Sequence, residues 1–188
     1  MEGYAMKLLI LNGPNLNLLG QREPDIYGRQ SYDDLCKLIY EHAAAVGCQV
    51  ELFQSNHEGT LIDAIQASRA GFGGIVINPG AYAHYSYAIY DALRCAPVPA
   101  VEVHISDINA REPFRAVSVT APACAKVITG HGLDGYLEAM DYLLQHTNDT
   151  AAAPTCGCTG EALVCPTKSS ILSATPWIIA FRRCSTAP

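Results

Sequence analysis

"GGIVIN", residues 73–78, is a nearly unbroken apolar run that ends in an asparagine. It lacks the alternation of a half-exposed strand. Such a segment suits a strand buried on both faces of a sheet, as in parallel α/β proteins. Working outward from it, the chain repeats one pattern. Leu61, Ile62 and Ile65 mark a helix that stops near Gly71, and residues 86–94 read as the next helix. "AVEVHI" from Ala100 and "AKVITG" from Ala125 are further strands. Leu133, Tyr136, Leu137, Met140, Leu143 and Leu144 keep helical period, and His146 stands where a helix dipole favours a cation.

Upstream the pattern is the same. Residues 7–11 form a short apolar run that ends at Asn12-Gly13-Pro14. Ser31 with Asp34 three residues on resembles a capping box; Leu35, Leu38, Ile39 and Val46 follow in helical period, and Gly47 stops them. "QVELF" from Gln49 is the second strand. Five strands alternating with helices imply a parallel sheet with right-handed crossovers and helices on both faces. The expected fold is α/β, a flavodoxin-like doubly wound five-stranded parallel sheet. Only the link 105–124 is long without periodicity, with a short helical turn expected at 112–114.

Beyond Asn148 no amphipathic period survives; Ala, Thr, Ser and Pro dominate. The expectation is one catalytic domain over residues 1–148 and a poorly ordered extension over 149–188. There are no internal repeats.

Composition narrows the function. Of 188 residues, 49% are hydrophobic and 16% charged, which argues against disorder over most of the length. A net charge of −6 disfavours a nucleic-acid partner. No apolar stretch reaches the length of a membrane span, and "MEGYAMK" lacks the pattern of a secretory signal, so a cytoplasmic location is expected. Cys36, Cys48, Cys95 and Cys124 read as buried small hydrophobes in a reducing compartment. The tail cysteines Cys156, Cys158, Cys165 and Cys184 lack zinc-site spacing, so no metal is expected.

In open α/β sheets ligands bind beyond the carboxyl ends of the strands. Those ends carry the polar load here. Strand 1 leads to Asn15, Arg22 and Tyr27; strand 2 to Ser55, Asn56 and Glu58; strand 3 to Asn78 and His84; strand 4 to His104, Ser106, Arg111 and Arg115. The opposite ends are dull. No phosphate-binding glycine motif follows strand 1. Neither a nucleophilic cysteine on a strand-to-helix turn nor the acid pair of a response regulator is present. Lys7, Lys37 and Lys126 are on the wrong side for imine chemistry. What remains is acid–base chemistry by His104, His84 and Tyr27, with arginines to hold an anion. Glu102 and His104 are two apart on one strand and so share a face. A carboxylate beside an imidazole fixes the ring's orientation, as a general acid requires. A non-catalytic module that binds a small anion would use many of the same residues.

Several stretches together resemble the type II 3-dehydroquinate dehydratase family. They are "LILNGPNLNLLGQREPDIYG", "FQSNHEG", "INPGAYAHYS", "EVHIS" with the following "REPFR", and "ITGHGLDGYLEAMDYL", in the family's order over residues 6–145. The resemblance implies anti elimination of water from 3-dehydroquinate through an enolate, without metal or cofactor. It implies that Tyr27 is the base, that Arg22 holds it as tyrosinate, and that Asn15 holds a water at the enolate oxygen. His104 would be the acid, oriented by Glu102. Asn78, His84, Ser106 and the amides of Ile105 and Ser106 would bind substrate hydroxyls and carboxylate, with Arg115 on the distal hydroxyls. Asp91 would reach into a neighbouring subunit of a dodecamer built from trimers. Asp107 and Asn109 stand where the family often has asparagine and histidine, and Tyr85 and Tyr87 are bulky additions.

Overall fold

The computed structural model describes residues 6–21 and 29–146. Five strands form one parallel sheet: β1 Lys7–Asn12, β2 Gln49–Gln54, β3 Gly74–Asn78, β4 Ala100–His104 and β5 Lys126–Thr129. Their spatial order is β2-β1-β3-β4-β5, the flavodoxin-like order expected from the sequence. Four helices connect or follow them: α1 Tyr32–Val46, α2 Glu58–Ala67, α3 Tyr87–Cys95 and α4 Asp134–His146.

Period-two geometry explains why the strand sequences are apolar throughout. On β1, Leu8 and Ile10 pack with Leu35 and Ile39 of α1 and Met140 and Leu143 of α4. Leu9 and Leu11 point the other way, to Leu61 and Ile65 of α2 and Ile89 and Leu93 of α3. Both faces of β3 are sealed likewise, so Ile75, Val76 and Ile77 are wholly buried. Burying each such side chain stabilises the fold by about 1.5–3 kcal/mol.

Local signals set the helix ends. Ser31 and Asp34 form the expected capping box, each side chain holding the other's backbone amide. Gly47 ends α1 in the left-handed conformation, φ 72°. The Ser86 hydroxyl accepts the amide of Ile89 at 2.9 Å and starts α3. β1 runs one residue past its apolar run because Asn12 still pairs with Gln54 and Asn78.

Where periodicity fades, between β4 and β5, the chain makes three short 3-10 turns, Ile108–Ala110, Pro113–Arg115 and Ala121–Ala123. The second lies one residue on from the turn expected at 112–114. At the opposite, amino end of the sheet Lys7 Nζ lies 2.7 Å from Glu51. One expectation about the cysteines is corrected. Cys95 is exposed at the end of α3, and Cys48 and Cys124 are only partly covered. A helix that packs through Ile89, Ala92 and Leu93 turns its last residue away from the sheet.

Candidate active site

The strand order reverses direction between β1 and β3, and there the carboxyl ends part to form a cavity of about 130 Å³. That space suits one small polar molecule rather than a dinucleotide. Its lining includes Asn15, Asn78, His84, His104, Ile105, Ser106, Arg111 and Arg115. Three strand ends thus converge, as the sequence pattern anticipated.

The two inner loops are locked together. The Gly13 amide donates to the Asn78 carbonyl at 2.8 Å. A Cβ at Gly13 would lie 2.5 Å from the Pro79 carbonyl oxygen, so only glycine fits. Asn15 follows in the left-handed conformation, φ 64°. Its amide donates to Asn56 Oδ1 at 2.9 Å, and Gln54 Nε2 donates to the same oxygen at 3.1 Å. The polar end of β2 therefore acts at one remove: Asn56 shapes the Asn15 turn.

Beneath the cavity lies a buried polar relay. The Tyr136 hydroxyl donates to Asn12 Oδ1 at 2.7 Å and accepts from Asn78 Nδ2 at 2.9 Å. Asn78 Oδ1 accepts the Gly80 amide at 3.1 Å. The Asn78 amide group is thus fixed from both sides before any ligand arrives. Burial pushes the Tyr136 hydroxyl's pKa far up, so it stays a neutral donor.

His104 ends β4 and faces the cavity. Its Nε2 lies 2.7 Å from Glu102 Oε1, with Glu102 wholly buried. The carboxylate accepts that N–H, which leaves Nδ1 as the ring nitrogen able to exchange a proton with the cavity. Glu102 also accepts from Ser118 Oγ at 2.6 Å and from Thr120 Oγ1 at 2.5 Å. Burial works to raise the Glu102 pKa, but the bonds from His104, Ser118 and Thr120 and the imidazole's charge hold it below the usual value. His84 stacks with His104, ring centres 6.3 Å apart. Its Nδ1 donates to the Val117 carbonyl at 2.9 Å, leaving Nε2 for a ligand.

Ile105 and Ser106 follow His104 at the cavity wall. The turn after β5 braces them: Gly130 and Gly132 amides donate to the carbonyls of His104 and Ile105, and the Thr129 hydroxyl donates to that of Ser106. Arg111 and Arg115 supply positive charge opposite. Both reach Glu112 Oε2, at 3.5 and 2.9 Å. An anion in the cavity would therefore meet two guanidinium groups already held in place.

Of the residues expected at the site, Asn15, Asn78, His84, His104, Ile105, Ser106 and Arg115 come together, with Glu102 behind His104. Asp91 is exposed on α3 and does not line this cavity. Arg22 and Tyr27 lie outside the described residues. Lys7, Lys37 and Lys126 do not line the cavity. Among the described residues no group of three His, Cys, Asp or Glu side chains could hold a metal ion. No helix among them is long and apolar enough to cross a membrane.

Four contributors escaped the sequence reading. Ser118 and Thr120 sit in the aperiodic link, and in sequence Asn12 and Tyr136 look like a strand end and a core helix residue. The one signal available was the position of Asn12 beside Asn78 at neighbouring strand ends.

Comparison with known proteins agrees with this fold. The sequence model of the family described as "Dehydroquinase class II" matches residues 6–144. The 3-dehydroquinate dehydratase of Thermotoga neapolitana is 52% identical over 146 residues, 78% of this chain and 99% of that protein. The 3-dehydroquinate dehydratase of Clostridium acetobutylicum is 54% identical over 138 residues, 73% of this chain and 96% of its own length. The crystal structure of the type II dehydroquinase from Butyrivibrio crossotus superposes with a TM-score of 0.74 at 53% identity, over 76% of this chain and 99% of that one. The chain belongs to the class II dehydroquinase family.

Proposed function

We propose that this chain is a 3-dehydroquinate dehydratase, a cofactor-independent hydro-lyase that converts 3-dehydroquinate to 3-dehydroshikimate. The observation that carries the reading is His104, which faces a small arginine-lined cavity with its far nitrogen held 2.7 Å from a buried carboxylate. Such an imidazole is built to deliver a proton in one direction.

Tyr27 takes a proton from C2, as tyrosinate. A free tyrosine has a pKa of about 10, so about one in a thousand is ionised at neutral pH, a cost of roughly 4 kcal/mol. Arg22, five residues before it, offsets much of this, since a neighbouring cation lowers a pKa by about one to three units. The electron pair left at C2 moves onto the C3 carbonyl oxygen as an enolate, stabilised by a water on Asn15. The enolate collapses, the C1 hydroxyl departs on the opposite face, and His104 Nδ1–H supplies the proton that makes it water. Glu102 keeps the resulting neutral imidazole in place. Asn78, His84, Ser106 and the amides of Ile105 and Ser106 hold hydroxyls and carboxylate, and Arg115 holds the distal hydroxyls.

The reading extends to context. The enzyme works in the cytoplasm, in aromatic biosynthesis or quinate breakdown. Residues 1–148 are the catalytic domain and 149–188 an appendage. The assembly is a trimer-based dodecamer in which Asp91 completes a neighbour's site.

Turnover of 3-dehydroquinate, followed in the ultraviolet as the conjugated enone forms, tests the activity. Saturable turnover lost in His104→Ala supports the reading. Binding without turnover would leave a small-anion binding module instead.

A further inference from the structure

We propose that Ser118 and Thr120 are positioning residues that set the orientation and proton of His104 through Glu102. This rests on the dehydratase reading for its kinetic consequence, but not for its structural one.

Glu102 has no access to water, so its carboxylate must be satisfied by protein groups alone. Three donors do this. His104 Nε2 and Ser118 Oγ share Oε1, at 2.7 and 2.6 Å, and Thr120 Oγ1 takes Oε2 at 2.5 Å. Each hydroxyl has a single proton. Ser118 and Thr120 are 3.1 Å apart and could bond each other, yet both have a carboxylate oxygen closer. The Ser118 oxygen in turn accepts the Ala121 amide at 3.1 Å, which fixes the direction of its proton. The hydroxyls pin the carboxylate plane, and that plane determines where the His104 ring points.

The same segment sets the other histidine. The Val119 amide donates to the Ala83 carbonyl at 2.7 Å, one residue before His84, and the Val117 carbonyl accepts His84 Nδ1. Residues 117–120 therefore strap both cavity histidines from behind. The titratable groups around the carboxylate are His104, with His84 stacked beyond it, and the Cys124 thiol. Burial and the Glu102 charge push that thiol up, so it stays neutral and does not compete for the imidazole proton.

A buried carboxylate could be satisfied for stability alone, so the test must separate packing from proton placement. Thr120→Val keeps the shape and removes one donor; Thr120→Ser returns it. Each full-length protein is read in two ways: kcat and KM on 3-dehydroquinate, and the His104 ring by nitrogen-15 NMR. Wild-type protein should show a single preferred arrangement, with the Nε2 proton held toward Glu102. In Thr120→Val that preference should break into a mixture. Its kcat should fall about ten-fold, the rate equivalent of one charge-assisted hydrogen bond, with KM within about two-fold. Thr120→Ser should restore both. Unmoved ring signals in Thr120→Val, or a fall in kcat that Thr120→Ser does not repair, would overturn the proposal. If Thr120→Val fails to fold, Ser118→Ala read by the same measurements decides. If wild-type protein turned over no 3-dehydroquinate, the dehydratase reading would fall, while the NMR comparison would still decide the positioning role.

Discussion

His104 Nε2 and Glu102 Oε1 lie 2.7 Å apart, on side chains two residues apart on β4 and both closed off from solvent. The pair determines which imidazole nitrogen serves the cavity, and it links the site to the acid stability of the protein. Glu102's pKa lies below its ordinary 4.5 in the folded chain; in the unfolded chain it returns there. A carboxylate depressed on folding contributes stability that is complete above the unfolded value and is lost as pH falls through the folded one. Melting temperature should therefore fall as pH drops below that ordinary value. In Glu102→Gln that part of the acid dependence should vanish, and stability near neutral pH should drop by about 3 kcal/mol, because the imidazole loses its buried partner. Identical melting curves for both proteins from about pH 7 to about pH 3 would refute the assignment.

Tyr136→Phe should cost about 1–3 kcal/mol, since it strands the buried Asn12 Oδ1 and frees Asn78 Nδ2. Urea denaturation measures the loss. KM for 3-dehydroquinate should rise as well, because the Asn78 amide is no longer fixed from below. A stability change within about 0.5 kcal/mol would mean that water or rearrangement replaces the relay.

Truncation after Thr150 should leave fold and most activity intact. The family match ends at residue 144, and α4, the helix that closes the repeating strand–helix pattern, ends at His146. A large fall in melting temperature on truncation, or stoichiometric zinc in the full-length chain alone, would show that the tail has a structural role.

Asp91 is exposed on α3, away from its own cavity, and its proposed role requires a neighbour. Light scattering should find a dodecamer, and Asp91→Ala should raise KM without weakening the fold of the single chain. A fully active monomer would remove Asp91 from the site.

Much of this fold could be read from order along the chain. "GGIVIN" is apolar because both faces of β3 are covered, and Ser31 with Asp34 announced α1 because a cap acts within one turn. The histidine–carboxylate pair was legible for the same reason, being two residues apart on one strand. Thr120 and Ser118 were not, since they reach Glu102 from 18 and 16 residues away across an aperiodic link. Tyr136 meets Asn12 across 124 residues, and a tyrosine in an apolar helix stripe looks like packing until its hydroxyl is seen buried among asparagines. Cys95 was misread because an apolar neighbourhood in sequence does not say which way the last helical residue points.

The division of labour between base and acid is the centre of the account, and solvent hydrogen exchange at C2 of 3-dehydroquinate tests it most directly. The measurement compares exchange with dehydration in His104→Ala and Tyr27→Phe. With the acid gone and the base intact, His104→Ala should still exchange the C2 hydrogen while losing dehydration by about 10²–10⁴-fold. Tyr27→Phe should do neither, although it should still bind inhibitors. Substantial turnover in Tyr27→Phe, or loss of exchange in His104→Ala alone, would contradict the assignment and make His84 the next candidate for the base.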